Sequence, residues 1–266
     1  MLNTILLRSK DQKSVVKIDN GELISFKKCG VEYIHQKRNK GWDNSDTEMF
    51  PVIGPTIKNQ HKVTTKKGIA ILDQHGLLRE LTYQQTRCSN FEVVYTKEYF
   101  KNSPLKNRKY PNKSEKENVF WPYDFSFKKS FLLTDSFLEI SFEVFAEKGM
   151  PFMFGYHPAF ELSGDKNEFC RTKKETISLN QIFKVGGDAY PVLNCNEIIL
   201  ENSIKNNIKI STTGFHNFML WTEVNSMLCI EPITHFPNLI TQQYSEKNML
   251  LSSGSDIFTV KIEVLE

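Results

Sequence analysis

Leu138-Glu139-Ile140-Ser141-Phe142-Glu143-Val144 alternates apolar and polar side chains without a break. Such a period of two is typical of a β-strand with one buried and one solvated face. Phe258-Thr259-Val260-Lys261-Ile262-Glu263-Val264 repeats the pattern near the C-terminal end. Residues 125–133 keep their phenylalanines on one parity, interrupted by Lys129. These segments predict half-buried strands.

The turns between these segments support an all-β fold. Asn20-Gly21, a strong hairpin signal, lies between the strand-like segments 14–18 and 23–27. No long helical period competes with the strands, and many short strands joined by turns indicate a β-sandwich or a barrel. A chain of 266 residues is within the range of one large all-β domain, so we expect residues 1–266 to form a single domain.

Residues 97–118 differ in composition from the rest of the chain. They contain seven Lys or Arg residues and two Pro residues but few aliphatic ones. One interpretation is a basic patch for a phosphorylated ligand. The other is a solvated loop between strands, which we favour because this composition cannot bury a core.

Charge and cysteine content disfavour several classes of function. The net charge of +3, from 34 basic and 31 acidic residues, is too weak to favour binding of nucleic acid or of an anionic membrane. Five cysteines, an odd number without a CxxC pair, fit a reducing compartment and give no zinc signature. The apolar run near the N-terminus is too short for a signal peptide, and no stretch is long enough to span a bilayer. We therefore expect a cytoplasmic protein.

Three short fragments carry residues that can move protons. His75 and His157 each lie in a segment flanked by glycine or proline, and Glu231 ends an apolar run before Pro232. Two imidazoles and one carboxylate suffice for proton transfer to and from a small polar molecule near neutral pH. Arg79 offers a planar set of donors for hydroxyls, a carboxylate or a phosphate. If the fragments do not meet in space, they are ordinary buried histidines and a strand-end glutamate.

Taken in order, these fragments resemble the aldose 1-epimerase (mutarotase) family, most closely its bacterial galactose mutarotase-related branch. The resemblance covers nearly the whole chain, and its most specific pieces are His157-Pro158-Ala159-Phe160 and Ile230-Glu231-Pro232. The matching family patterns are LFPxxG at residues 49–54, HGFxR at 75–79, YPxxF at 121–125, xGxHPaF at 154–160 and the EP of xxxEPxxG at 231–232.

The resemblance implies a large antiparallel β-sandwich of the galactose mutarotase-like, or supersandwich, type, with a sugar site on one sheet. It implies that Glu231 takes the proton from the anomeric hydroxyl, that His157 protonates the ring oxygen, and that His75 is a second donor there. Arg79 is expected to hold the sugar or order its loop, and Tyr156 to stack on a sugar face. No metal or organic cofactor is needed. The expected partner is a small-molecule sugar, and the expected state is a monomer or a homodimer.

The sequence departs from the family pattern at residues that contact sugar. The arginine that usually follows the LFPxxG glycine is absent, because Pro55 follows Gly54. The glycine of EPxxG is absent as well, and its position holds His235. The family aspartate that contacts sugar hydroxyls has no confident match, and Asp188 is the candidate. The catalytic fragments are thus kept, whereas the substrate-contacting ones are altered.

Three functions fit this sequence. The leading hypothesis is a mutarotase that interconverts the α and β anomers of a hexose. A close variant acts on a hexose 6-phosphate, with Arg79 or residues 97–118 meeting the phosphate. The alternative from another class is a carbohydrate-binding protein without turnover on the same sandwich. Glu231 and His157 favour the enzyme, because a pure binder has no need of an acid and a base that face each other.

Overall fold

The chain folds almost entirely into antiparallel strands, which confirms the all-β prediction. The structure is a computed structural model that describes residues 4–165 and 167–265. In those ranges it contains 25 strands, one α-helix of six residues and three 3-10 helices. No helix within them is long and apolar enough to cross a membrane.

The strands are numbered in chain order. Strands β1 to β12 are Thr4–Arg8, Ser14–Asp19, Glu22–Lys28, Val31–Glu32, Glu48–Met49, Lys62–Thr65, Gly68–Ile71, Gln84–Cys88, Glu92–Tyr99, Leu105–Lys106, Asn118–Val119 and Phe125–Leu133. Strands β13 to β25 are Phe137–Ala146, Pro151–Phe152, Gly155–Tyr156, Ala159–Glu161, Phe169–Arg171, Thr176–Ser178, Tyr190–Leu193, Glu197–Glu201, Ile208–Thr213, Asn217–Trp221, Met227–Ile233, Leu250–Leu251 and Ser255–Val264. The helix α1 is Leu179–Lys184, and the 3-10 helices are Ile57–Asn59, Leu78–Glu80 and Glu246–Asn248.

Two large sheets carry the fold. The first has nine strands in the order β18-β17-β20-β21-β25-β13-β12-β9-β8. The second has the order β19-β22-β23-β15-β5, and β16 also pairs with β23. Strands β1 to β4 form a separate sheet, in which the predicted Asn20-Gly21 turn joins β2 to β3. Both turn residues have a positive φ, as a tight hairpin requires.

The core lies between the two large sheets. Along β12 buried residues alternate with partly buried ones, as the sequence predicts. The ring of Phe127 on β12 lies 5.5 Å from that of Phe154, and the ring of Phe142 on β13 lies 5.0 Å from that of Tyr156 on β15. The nine-stranded sheet therefore packs face to face against the sheet that carries β15, and the two form a β-sandwich.

Lys129 interrupts the apolar parity of β12 because its ammonium group is paired inside the core. The side chain is fully buried, and Nζ lies 2.9 Å from Asp46 Oδ2 and 2.6 Å from Glu48 Oε1. Tyr156 donates its hydroxyl to the same Asp46 oxygen over 2.6 Å. These contacts tie β12 of one sheet to β5 and β15 of the other. We call Lys129, Asp46 and Glu48 the buried ion cluster.

The basic segment 97–118 is not simply a solvated loop, and that prediction is wrong at both of its ends. Lys97 to Tyr99 continue β9, and β10 pairs with β11 as a short hairpin. Lys97 is only 5% exposed, because its Nζ donates to the Leu78 carbonyl and lies over the Tyr83 ring. Between the two hairpin strands most residues are exposed, as the composition predicts.

Replacing Lys129 by methionine should lower the free energy of unfolding by about 3–5 kcal/mol, because two carboxylates stay buried without their main cation. Lys128→Met is the matched control on the same strand. Lys128 is partly exposed and pairs with Glu143 at the surface, so its loss should cost about 1 kcal/mol or less. Urea unfolding of both variants checks the difference. Equal losses in the free energy of unfolding would show that the buried ion cluster stabilises the fold no more than a surface ion pair does.

Candidate active site

Strand β23 presents Glu231 on the sheet face that points away from the sandwich core. Leu228 and Ile230 belong to the main core, whereas Met227 and Cys229 belong to a separate small cluster. Successive residues of a strand point to opposite faces. Glu231 therefore shares its face with Cys229, and it is still almost fully buried because loops cover that face.

His157 lies directly against Glu231. It follows β15, and its backbone N–H donates to the Thr47 carbonyl over 2.8 Å while its carbonyl accepts from the Thr47 N–H over 3.2 Å. The chain then enters β16, which pairs with β23 so that Ala159 opposes Cys229. In this arrangement His157 Nε2 lies 3.3 Å from Glu231 Oε1. We call these two side chains the His–Glu pair.

Aromatic rings surround the His–Glu pair and keep it nearly dry. The ring centroid of Trp42 lies 4.3 Å from that of His157, with 32° between the ring planes. Trp221 lies 6.0 Å away, and His75 approaches edge-on at 6.1 Å. As a result His157 is 7% exposed and Glu231 only 1%.

The loop that carries His75 is locked onto the segment 50–54. His75 donates its N–H to the Gly54 carbonyl and accepts the Gly54 N–H at Nδ1, both over 3.1 Å. Phe50 donates its N–H to the His75 carbonyl, and its own carbonyl accepts from Leu77. Because Nδ1 is an acceptor, the proton of the neutral ring is on Nε2. His75 can therefore donate a hydrogen bond from Nε2.

Arg79 is held beside the His–Glu pair by the backbone of β5. Its Nε donates to the Glu48 carbonyl over 2.8 Å. Its Nη2 is buried and has no hydrogen-bond partner in the described part of the chain. A buried donor without a partner is uncommon, and it marks a position for a ligand atom or a water molecule.

Burial dominates the proton affinity of the His–Glu pair. It raises the pKa of Glu231 from its usual 4.5 to about 8, with the Arg79 charge opposing the rise. It lowers the pKa of His157 well below 6.5, and the Arg79 charge lowers it further. Near neutral pH the pair therefore carries one proton, on the Glu231 carboxyl group, which lies 3.3 Å from His157 Nε2. Burial also lowers the pKa of His75 well below its usual value, so that ring is neutral as well.

A cavity of about 430 Å³ opens beside this cluster. One wall comes from the site and the other from the basic segment. Lining residues from the two walls include Trp42, Gly76, Arg79, Arg108, Lys109 and Lys113. Trp42 both lines this cavity and packs on the His157 ring, whereas neither His157 nor Glu231 is among the lining residues.

Two predicted substrate-contacting residues do not join this cluster. Tyr156 precedes His157 and points to the opposite face, where it is fully buried and its hydroxyl bonds Asp46. The prediction that Tyr156 stacks on a sugar is wrong, because no face of its ring is free. Asp188 is exposed in the turn after α1, and in the described ranges no contact joins it to the His–Glu pair. Its assignment to sugar hydroxyls stays a prediction.

Trp42 and Cys229 are neighbours of the pair that the sequence motifs did not predict. An isolated tryptophan in the polar stretch 36–47 is a signal that can point to Trp42. Cys229 stands two residues before Glu231, so the strand period places both on one face. Its Sγ lies within 4.8 Å of a ring nitrogen of His157 and of a carboxylate oxygen of Glu231.

The fold and the cluster together define a β-sandwich protein with a dry acid–base pair on one sheet. Residues 54–238, more than half of the chain, match the family model described as aldose 1-epimerase. The chain belongs to the aldose 1-epimerase family. None of the curated proteins matches the sequence.

Solved structures share the fold over almost the whole chain. A galactose mutarotase related enzyme from Lactobacillus acidophilus has a TM-score of 0.80 and 16% identity, over 99% of this chain and 97% of that one. A galactose mutarotase-like protein from Lactobacillus casei has a TM-score of 0.78 and 18% identity, over 99% and 100%. One from Clostridium acetobutylicum has a TM-score of 0.65 and 14% identity, over 100% and 99%. These likenesses confirm the galactose mutarotase-like sandwich and show the fold alone.

Replacing Gly76 by alanine should damage the His75 loop more than an ordinary glycine substitution. Gly76 has a φ of +79°, and a Cβ atom there would overlap the Phe50 carbonyl oxygen. We expect a loss of about 3 kcal/mol or more in the free energy of unfolding. Gly30→Ala is the control: its φ is +83°, but nothing lies within 4 Å of the added Cβ, so a backbone cost of about 1–2 kcal/mol remains. If urea unfolding gives equal losses, the close approach to Phe50 does not hold the loop.

Proposed function

We propose that the protein is an aldose 1-epimerase that interconverts the α and β anomers of a hexose. The observation that carries the proposal is the His–Glu pair: an imidazole nitrogen and a carboxyl oxygen 3.3 Å apart and nearly excluded from water, in a chain of the aldose 1-epimerase family. Exchange of anomers needs one group that removes the anomeric proton and one that protonates the ring oxygen. The pair supplies both.

Glu231 acts as the base and His157 as the acid. When the cyclic sugar binds, its anomeric hydroxyl meets the Glu231 carboxylate, and the proton of the pair resides on His157. Glu231 takes the hydroxyl proton while His157 Nε2 gives its proton to the ring oxygen. The bond between C1 and the ring oxygen breaks, and C1 becomes an aldehyde carbon. The carbonyl group turns, and the same steps in reverse close the ring on its other face. The pair carries one proton throughout.

After ring opening, the His–Glu pair has the same protonation state as in the site without sugar. After ring opening Glu231 is a neutral carboxylic acid and His157 a neutral imidazole. Burial favours this distribution, since it disfavours the charge on each group. The Arg79 charge opposes burial at Glu231 and so stabilises the carboxylate that the closed ring needs. Burial thus stabilises the neutral pair of the open-chain stage, and the Arg79 charge stabilises the carboxylate of the closed-ring stage.

Three further side chains hold the sugar. His75 donates from Nε2 near the ring oxygen, because its Nδ1 is occupied by Gly54. Arg79 offers its unpaired Nη2 to the sugar hydroxyls. Trp42 covers His157 in this structure, so a sugar that enters from the cavity reaches the pair when the indole moves aside and packs against the sugar ring instead.

Polarimetry of freshly dissolved α-D-glucose and α-D-galactose tests the proposal. The wild-type chain should accelerate mutarotation of at least one of them. Glu231→Gln should lower the enzymatic rate by about 10² to 10⁴-fold, since one of the two proton-transfer groups is lost, and His157→Asn should do the same.

Glu161→Gln is the matched control for this assay. Glu161 lies on β16, which also pairs with β23, but opposite Met227 and away from the His–Glu pair. This variant should keep the wild-type rate. Full activity in Glu231→Gln would remove Glu231 as the base. No acceleration of any aldose, phosphorylated or free, would leave carbohydrate binding without turnover as the function.

The pH profile of kcat/KM should be a plateau with two falling limbs. As pH rises through about 8, the pair loses its one proton at Glu231 and keeps a base without an acid, so the rate falls. As pH falls through the pKa of His157, well below 6.5, the pair gains a second proton and keeps an acid without a base. Polarimetry from about pH 5 to about pH 9 measures both limbs. A rate that keeps rising through pH 8 would contradict the one-proton pair.

A hexose 6-phosphate is the second candidate substrate, because basic side chains outnumber acidic ones around the cavity. The charged lining consists of Arg79, Arg108, Lys109, Lys113, Asp43, Asp73 and Glu80. Two of the cations already contact acidic neighbours, over 3.0 and 3.6 Å. A small positive excess is left, which a phosphate group can meet.

Arg108→Ala distinguishes the two substrates. If the phosphate lies in the cavity, this variant should raise KM for glucose 6-phosphate about tenfold, the equivalent of about 1.4 kcal/mol, and leave KM for glucose unchanged. Lys101→Ala is the control, because Lys101 is an exposed cation of the same basic segment outside the cavity lining. Equal KM values for the phosphorylated sugar in both variants would show that Arg108 does not meet a phosphate in the cavity.

A further inference from the structure

Cys229 adds a third donor atom to the His–Glu pair. Its Sγ, the ring nitrogen of His157 and a carboxylate oxygen of Glu231 all lie within 4.8 Å of one another. All three side chains are buried, and the thiol is free. In residues 4–165 and 167–265 no other three histidine, cysteine or acidic side chains come together in this way.

We infer that these three side chains form a binding site for a borderline or soft divalent cation such as Zn²⁺. Imidazole, thiolate and carboxylate are the ligands that zinc uses in proteins, and three protein ligands leave a fourth position open. The sulfur ligand selects against Mg²⁺ and Ca²⁺, which prefer oxygen.

A small movement completes the geometry of this site. Ligand atoms about 2.0–2.3 Å from a tetrahedral zinc ion lie about 3.5 Å from one another. The 3.3 Å separation of His157 Nε2 and Glu231 Oε1 already fits. The Cys229 sulfur, at most 4.8 Å away, needs a shift of up to about 1 Å, which corresponds to a χ1 rotation of roughly 35° away from its rotamer.

The surroundings of Cys229 give the thiol no other task. It packs with Ala159 and Met227 in the small cluster beneath Trp42 and Trp221, and it forms no disulfide. When the cation binds, the Cys229 thiol and the Glu231 carboxyl group release their protons to solvent, and the resulting thiolate and carboxylate offset its two charges. The positive charge of Arg79 beside the pair opposes the ion and limits its affinity.

A bound cation at this site would stop turnover. It occupies the lone pair of His157 Nε2 and the carboxylate of Glu231, which are the two groups that transfer protons in the proposed mechanism. The cation is thus an inhibitor that competes with the sugar for the pair. This consequence rests on the proposed function, whereas binding of the metal does not.

Titration of the full chain with Co²⁺, under reducing and oxygen-free conditions, tests the site without reference to activity. We expect a thiolate-to-cobalt charge-transfer band with the visible bands of four-coordinate cobalt, and loss of both when Zn²⁺ is added. Cys229→Ala should abolish the charge-transfer band and weaken Zn²⁺ binding at least about tenfold, because one of three protein ligands is gone. Cys170→Ala, which removes another buried free thiol, should keep the band.

Zinc K-edge X-ray absorption of the wild-type chain provides a measurement that needs no variant, and we expect one sulfur among the ligands. An ion without a sulfur ligand, or a charge-transfer band that survives in Cys229→Ala, would overturn the inference. Polarimetry separates this inference from the proposed function. A cobalt band without mutarotation of any sugar removes the function and keeps the metal site, whereas mutarotation with no cobalt band does the opposite.

Discussion

Charge held out of water is the constraint on which this structure depends. Lys129, on the nine-stranded sheet, pairs with Asp46 and Glu48 at the edge of the other sheet, inside an otherwise apolar core. Buried charges are costly unless their partners are fixed, so this cluster sets how the two sheets face each other. The residue between the two acids, Thr47, bonds the backbone of His157 in both directions. The buried ion cluster thus places one half of the candidate site.

Exclusion of water governs the candidate site as well. Trp42 and the sheet keep water from His157 and Glu231. The pair therefore holds one proton, on Glu231, and both side chains are neutral. Arg79, fixed by the Glu48 carbonyl, shifts this balance toward the ionised carboxylate. A neutral carboxylic acid beside a neutral imidazole, with one proton between them, suits a reaction in which acid and base exchange roles in each cycle. Because Cys229 lies beside them, the same donor atoms also suit a soft cation.

Periodicity was enough to predict β12, β13 and β25, because half-buried strands alternate visibly in the sequence. The meeting of His157 with Glu231 depends on pairing between strands far apart in the chain, and only the family resemblance pointed to it. Lys129 looked like an interruption because its partners lie 81 and 83 residues away. Tyr156 was misassigned for a related reason. A sequence motif indicates which segments lie near the site, whereas strand pairing decides to which face of the sheet a side chain points.

Infrared spectroscopy of the Glu231 carboxyl group tests the account of the site most directly. The difference spectrum between wild type and Glu231→Gln isolates the signal of this one side chain. The C=O stretch of a protonated carboxylic acid is expected near neutral pH, and it should disappear as pH rises through about 8. A carboxylate signal near neutral pH, without the protonated band, would show that the His–Glu pair is ionised and that burial does not set its proton affinity.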